Sequence, residues 1–159
     1  MLPCPRESGR GIPIVHDAHF PALSGAWIGS DTIAPMDDLE PQTLDLVRRS
    51  AEVEIETRMS ADEPVHRTVI WVAVDEVGRV LARSYRGAQA RWYREALASG
   101  TASIVIGDMR IDVRVGPARD EERVAACSRA LEAKYPGRSS TQAMLRPEIL
   151  DTTLELMPA

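Results

Sequence analysis

Aromatic side chains make up only 4% of the 159 residues, so any interior must be built mainly from Val, Ile, Leu, Ala and Met. Cysteine is as scarce: Cys4 and Cys127 stand too far apart for a metal knuckle or a disulfide framework. No apolar run approaches the roughly 20 residues that span a bilayer. No apolar segment follows Arg6 and Arg10 to make a signal peptide. The expected setting is therefore cytoplasmic, with no membrane partner. Lysine occurs once, as Lys134, so nearly every fixed cation is a planar guanidinium suited to carboxylate or phosphate. The formal net charge is −5. That acidity argues against nucleic acid as the main partner, because phosphate binding relies on a basic face.

Several catalytic signatures are also missing. No Gly-Lys-Ser/Thr phosphate loop and no Gly-x-Ser-x-Gly elbow occurs. His16 and His19 flank Asp17-Ala18, but no third ligand is indicated and no metal site is expected.

What is present fits one soluble domain, with 44% hydrophobic and 27% charged residues. Residues 1–36 carry Pro3, Pro5, Pro13, Pro21 and Pro35 among several glycines, and read as an extended arm. Residues 37–159 read as the folded domain. A helix is expected over 38–50, capped by Asp37 or Asp38, with Pro41 in its first turn. Glu52–Arg58 alternates as a strand with one wet face. Met59–Val65 is a loop. His66–Asp75 is apolar on both faces and reads as a central strand. Glu76–Gly78 turns into a strand over Arg79–Tyr85. A helix follows at Ala88–Ser99, then a hairpin of Thr101–Ile106 with Met109–Val115 about Gly107-Asp108. Arg119–Tyr135 is an amphipathic helix, and a Ser/Thr loop leads to a last strand at Thr152–Met157. Hairpins predominate and no βαβ series appears. The expected fold is an α+β antiparallel barrel or sheet with flanking helices.

The chemistry concentrates in Arg83-Ser84-Tyr85-Arg86-Gly87, between a strand and a helix that carries Arg91-Trp92-Tyr93-Arg94. Free N–H groups at a helix start make an anion site. Arg83, Arg86 and Arg91 add forked donors there, and Ser84 a hydroxyl. Alternatively these guanidinium groups pair with Glu54, Glu56 and other surface acids. Trp71, Trp92 and Tyr93 border the same segment, either as a wall for a planar ring or as core. His66, at a strand start, is a candidate general acid or base.

Val53-Glu-Ile55-Glu-Thr57, Val69-Ile-Trp71-Val-Ala-Val74, the Arg83–Gly87 and Arg91–Arg94 boxes and Ala133-Lys134-Tyr135 together resemble a bacterial family of unknown function. That family is similar to the split β-barrel proteins that bind flavin mononucleotide or its deazaflavin analogue, nitroreductases among them. The resemblance implies a six-stranded antiparallel split barrel, commonly a homodimer with cofactor sites at the subunit interface. It implies a flavin- or deazaflavin-linked oxidoreductase acting on a small planar metabolite. In that reading Arg83, Ser84, Arg86 and Arg91, at the Gly87 turn, hold the cofactor phosphate. Thr57 and Thr68 bond the ring edges, and Trp71 or Trp92 lines the ring pocket. The Gly-Arg-x-Ser-Gly turn of many deazaflavin relatives is absent. That absence motivates a second expectation, a cofactor-free cyclase, isomerase or lyase, with proton transfer by His66, Glu56, Tyr85 or Tyr93. A third is a binding module whose arm drapes over a partner subunit.

Overall fold

The computed structural model describes residues 38–159, and the readings made on residues 1–37 lie outside them. The first helix, α1 (Pro41–Arg49), opens on Pro41, where a missing N–H costs nothing, and closes on Arg48 and Arg49. Its N-cap residue is Glu40, which makes no side-chain cap bond. The helix thus begins after the expected Asp37 or Asp38 cap.

Seven strands follow: β1 (Val53–Thr57), β2 (His66–Ile70), β3 (Val72–Val74), β4 (Val80–Arg83), β5 (Thr101–Ile106), β6 (Met109–Pro117) and β7 (Thr153–Pro158). Between them lie α2 (Arg91–Ser99), α3 (Glu121–Lys134) and α4 (Ser139–Met144). All pairings are antiparallel, in the order β2-β1-β5-β6-β7-β4-β3. The two ends of that order, β2 and β3, are separated in sequence only by Trp71. The sheet therefore curls until its ends meet at Trp71.

This arrangement corrects two expectations. The single strand expected over His66–Asp75 is divided at Trp71, which turns six strands into seven. Nor is that segment central: its halves form opposite ends of the sheet. Its two apolar faces have another cause. Val72 faces an interior shared with Val53, Ile55, Ile104, Leu154 and Leu156, whereas Ala73 packs with Leu81, Cys127 and Leu131 under α3. In β3 apolarity on both faces reports coverage by α3, not lateral position in the sheet, whereas in β2 the outward-facing Val69 is exposed.

Local chemistry fixes the turns. The buried Asp75 carboxylate accepts from the N–H groups of Val77 and Arg79, at 3.0 and 2.9 Å, and pairs with Arg79 Nε at 2.6 Å. Asp120 caps α3 through the Arg123 N–H at 3.0 Å. Burial pushes the Cys127 thiol up to about 11, which makes it an inert core group.

The lone lysine acts as a clasp. Lys134 Nζ donates to the carbonyls of Val47, at the end of α1, and Val72, on β3, at 2.9 and 2.7 Å. Beside it the Tyr135 hydroxyl donates to Ala51 at 2.6 Å. Burial without a carboxylate partner lowers the lysine to about 8, and burial raises the tyrosine to about 12. Between pH 8 and the ordinary lysine value of about 10.4 the unfolded chain holds a proton that the native clasp has lost, so stability rises with pH there. Above about pH 10 the unfolded tyrosine ionises first and the trend reverses. Urea melts of the wild type and Lys134→Met across pH 7 to 10 should show the stability difference move in favour of the wild type from pH 8 upward. A difference independent of pH would remove the clasp's role.

Candidate functional site

The site forms where β4 stops. In the β3–β4 register Val72 pairs with Ala82, so a longer β4 would set Tyr85 opposite Val69. The chain turns away instead. Ser84 Oγ donates to the Gly87 carbonyl at 2.7 Å, the Gly87 N–H returns to the Ser84 carbonyl at 3.0 Å, and the Ser84 N–H bonds Thr152 Oγ1 at 3.3 Å. Gly87 takes φ of 64°, and a Cβ there would meet Ile149 Cγ2 at 3.2 Å, so this turn needs glycine. A short 3-10 turn, Gly87–Gln89, precedes α2. The helix expected from Ala88 thus starts three residues later.

The departure of the chain leaves a cavity of about 700 Å³ between β2, the Arg83–Trp92 connection and α4. Thr68, Val69 and Ile70 supply its β2 wall. Trp71 adds an aromatic face that is stacked on Tyr135, with centroids 4.1 Å apart and planes at 12°. The Arg138 guanidinium lies 5.8 Å from the Trp71 ring centroid. Opposite are Ala90, Arg91 and Trp92, the start of α2, which no side chain caps. Its first N–H groups are the free donors of a helix terminus. Glu52, Tyr85 and Arg86 complete the mouth, and Ser140 and Met144 of α4 the floor.

Of the residues singled out in the sequence, Thr68, Trp71, Arg83, Tyr85, Arg86, Arg91 and Trp92 meet here. Their states differ. Arg83 is 1% exposed, and its guanidinium donates to Thr153 Oγ1 (2.9 Å), Ser128 Oγ (3.0 Å), the Met144 carbonyl (3.0 Å) and the Val124 carbonyl (2.8 Å). Four donors expected to grip a phosphate are thus engaged inside the protein. None of these partners is a carboxylate, and burial lowers the group from its ordinary value. An arginine nevertheless keeps its charge. Arg86 is exposed, and no partner for it occurs among the described residues.

The other candidates stand outside the cavity. Ser84 and Gly87 build the turn. Tyr93 belongs to the interior core, with Trp92 edge-on at 6.2 Å. Glu56 points from the opposite face of β1 and pairs with Arg67 and with Arg110, the latter at 2.8 Å. Glu54 pairs with Arg67 as well, at 3.2 Å. These acids therefore answer a different set of arginines from the one lining the cavity. The Thr57 hydroxyl donates to Glu95 Oε2 at 2.8 Å, and His66 Nδ1 lies 2.8 Å from Glu95 Oε1. Thr57 is thus not placed to bond a ring in the cavity. Glu95 itself escaped the sequence reading. Its signal was a carboxylate spaced with Trp92, Ala96 and Ser99 on the packed face of a helix. Helix α4 also went unread, because six Ser/Thr-rich residues look like a loop.

Residues 43–156 match the family model described as "Uncharacterized protein conserved in bacteria (DUF2255)", and the chain belongs to that family. No curated protein matches it. Among solved structures it is similar to HutZ, the heme storage protein from Vibrio cholerae. The TM-score is 0.55 at 11% identity, covering 77% of this chain and 91% of that one. It is similar to the FAD binding protein from Mycobacterium smegmatis, with TM-score 0.51 at 17% identity, over 76% and 90% of the two chains. It is also similar to an F420-H2 dependent reductase, with TM-score 0.50 at 19% identity, over 67% and 93%. Likeness at this level of identity shows a shared fold.

Two arginines of the cavity should respond oppositely to truncation. Arg83→Met leaves buried acceptors unpaired and should cost ~3 kcal/mol of stability. Arg86→Ala should stay within about 0.5 kcal/mol. Denaturant midpoints check both, and equal losses would contradict the division between a structural and a free guanidinium.

Proposed function

We propose that this family member binds flavin mononucleotide or a deazaflavin in the cavity between β2 and α2, and is an oxidoreductase for a small planar metabolite. One observation carries the reading: the charge of the cavity wall. Arg83, Arg86 and Arg91 face the single carboxylate of Glu52, in a chain whose net charge is −5. Arg83 adds a buried cation without a carboxylate partner, and its field favours an anion in the adjoining space. Proteins of the same fold described as FAD-binding and F420-H2 dependent support a flavin-like guest.

The residues present fit such a group. Arg86, Arg91 and the uncapped start of α2 would hold the phosphate. Trp71 and Trp92 offer flat apolar surface to a ring, and Thr68 a hydroxyl to its polar edge. A cavity of about 700 Å³ lies within the usual range for cofactor sites. When bound, a flavin or deazaflavin supplies hydride chemistry. The chain's own residues bind and orient it. Arg83 contributes as a fixed charge rather than a gripping hand.

A second reading is a cofactor-free isomerase, cyclase or lyase. Tyr85 favours it, as the one of its candidate proton-transfer groups that lines the cavity. There the arginines would take a substrate carboxylate or enolate.

Titration with oxidised FMN or deazaflavin should quench the fluorescence of Trp71 and Trp92 and shift the ligand's visible spectrum. Arg86→Ala should weaken binding about tenfold, for the loss of one charge-assisted bond. No spectral change with either compound would sink the oxidoreductase reading, and turnover by colourless protein would install the second.

A further inference from the structure

Glu95 is a carboxylate with three neighbours and no place in the cavity wall. It lies on the packed face of α2, 4% exposed. Its Oε1 is 2.8 Å from His66 Nδ1, its Oε2 accepts from Thr57 Oγ1 at 2.8 Å, and Arg91 Nε stands 4.0 Å from Oε1. Of these four residues only Arg91 also lines the cavity. One buried acid is therefore shared between an imidazole, the side chain that titrates near neutrality, and a guanidinium that borders the candidate ligand site.

On the reading that this cavity takes an anionic planar ligand, we propose that His66 and Glu95 form a proton-coupled control of it: a proton on His66 favours the anion, and the anion favours the proton. With a neutral imidazole, Nδ1–H donates to Glu95 and the carboxylate keeps its full charge to attract Arg91. The cluster of Glu95 and Arg91 is then electrically neutral. A proton on the imidazole makes it the dominant counter-charge of Glu95. Arg91, 57% exposed and held only at 4.0 Å, is then released toward the cavity. The cluster also gains one positive charge. Both effects favour an anion, and linkage makes the coupling reciprocal.

Few other charges complicate this circuit. Glu56 and Arg67 lie on the opposite face of β1 and β2 and neutralise one another. In the loop before β2, Arg58 donates to the Ala61 carbonyl, and the exposed Asp62 and Glu63 make no ion pair among the described residues. Arg94 of α2 is exposed. The strands β5 and β6 present Ala102, Ile104, Ile111 and Val113 to the interior core beside α2. Thr57 holds the carboxylate in place and carries no charge.

The test uses the full chain, with the three histidines resolved by NMR and His66 identified through His66→Gln. In the free protein Arg91→Gln should raise the His66 titration midpoint, because a repelling cation is removed. Glu95→Gln should lower it, because the attracting carboxylate charge is removed. Midpoints unmoved in both variants overturn the proposal whether or not any ligand binds. FMN affinity is then compared at about pH 6 and about pH 8. The ratio should be about fivefold larger in the wild type than in His66→Gln, at the low end of typical coupling. Comparing the two proteins removes the titration of the FMN phosphate itself, and equal ratios overturn the coupling. Should FMN fail to bind, which sinks the cofactor reading, inorganic phosphate takes its place. A rise of the His66 midpoint on adding phosphate sustains the control, and no change overturns it.

Discussion

A single guanidinium joins the elements around the cavity. Arg83 extends from the last residue of β4 and bonds a carbonyl inside α3, a hydroxyl of the same helix, the carbonyl of Met144 at the end of α4, and the first residue of β7. Helix α4, only six residues long, is held in part by the buried Met144 and by Thr141 Oγ1, which donates to the Tyr135 carbonyl at 2.6 Å. The arginine fixes it as the floor of the site. Burying a cation among neutral acceptors is costly, and hydrogen bonds offset that cost only in part. The residual positive field is the physical link between the fold and an anionic guest.

The second constraint is the division of the strand at Trp71. Beyond it β3 stays beneath α3, while β2 departs to the far end of the sheet. The chain after β4 departs too, turned by Gly87, and the space between becomes the cavity. The seam is held by side chains: Trp71 stacks on Tyr135, and Lys134 ties α1 to β3 through two carbonyls. The open face of β1, β2, β5 and β6 carries the acids that would oppose an anionic ligand. There Glu54 and Glu56 meet Arg67 and Arg110 across the strands, and Asp112 pairs with Arg110 two residues away on β6. Charge is thus sorted by face, with neutralised pairs outside and an excess of guanidinium at the seam.

Much of this was legible in the sequence because it is local. The alternation of Glu52–Arg58 and the Gly107-Asp108 hairpin each lie within a few residues, where backbone preference and side-chain period decide the outcome. The anion-prone stretch from Arg83 to Trp92 was visible for the same reason, as a strand end, a glycine turn and a helix start rich in arginine. The apolar character of His66–Asp75 was read correctly, but its position was not. In its β3 half, two covered faces look alike at the centre of a sheet and at an edge roofed by a helix; in its β2 half, an apolar Val69 is simply exposed.

Sequence by itself determined the antiparallel α+β class, the strand and helix inventory with few exceptions, and the segment where cations gather. Tertiary structure alone decided which of those cations remain available. Arg83 finds Thr153 at a separation of 70 residues, and His66 finds Glu95 at 29. Such pairings depend on how strands register and curl, not on neighbouring residue types. A guanidinium's role follows from what else it touches, and those partners are brought together only by the folded chain.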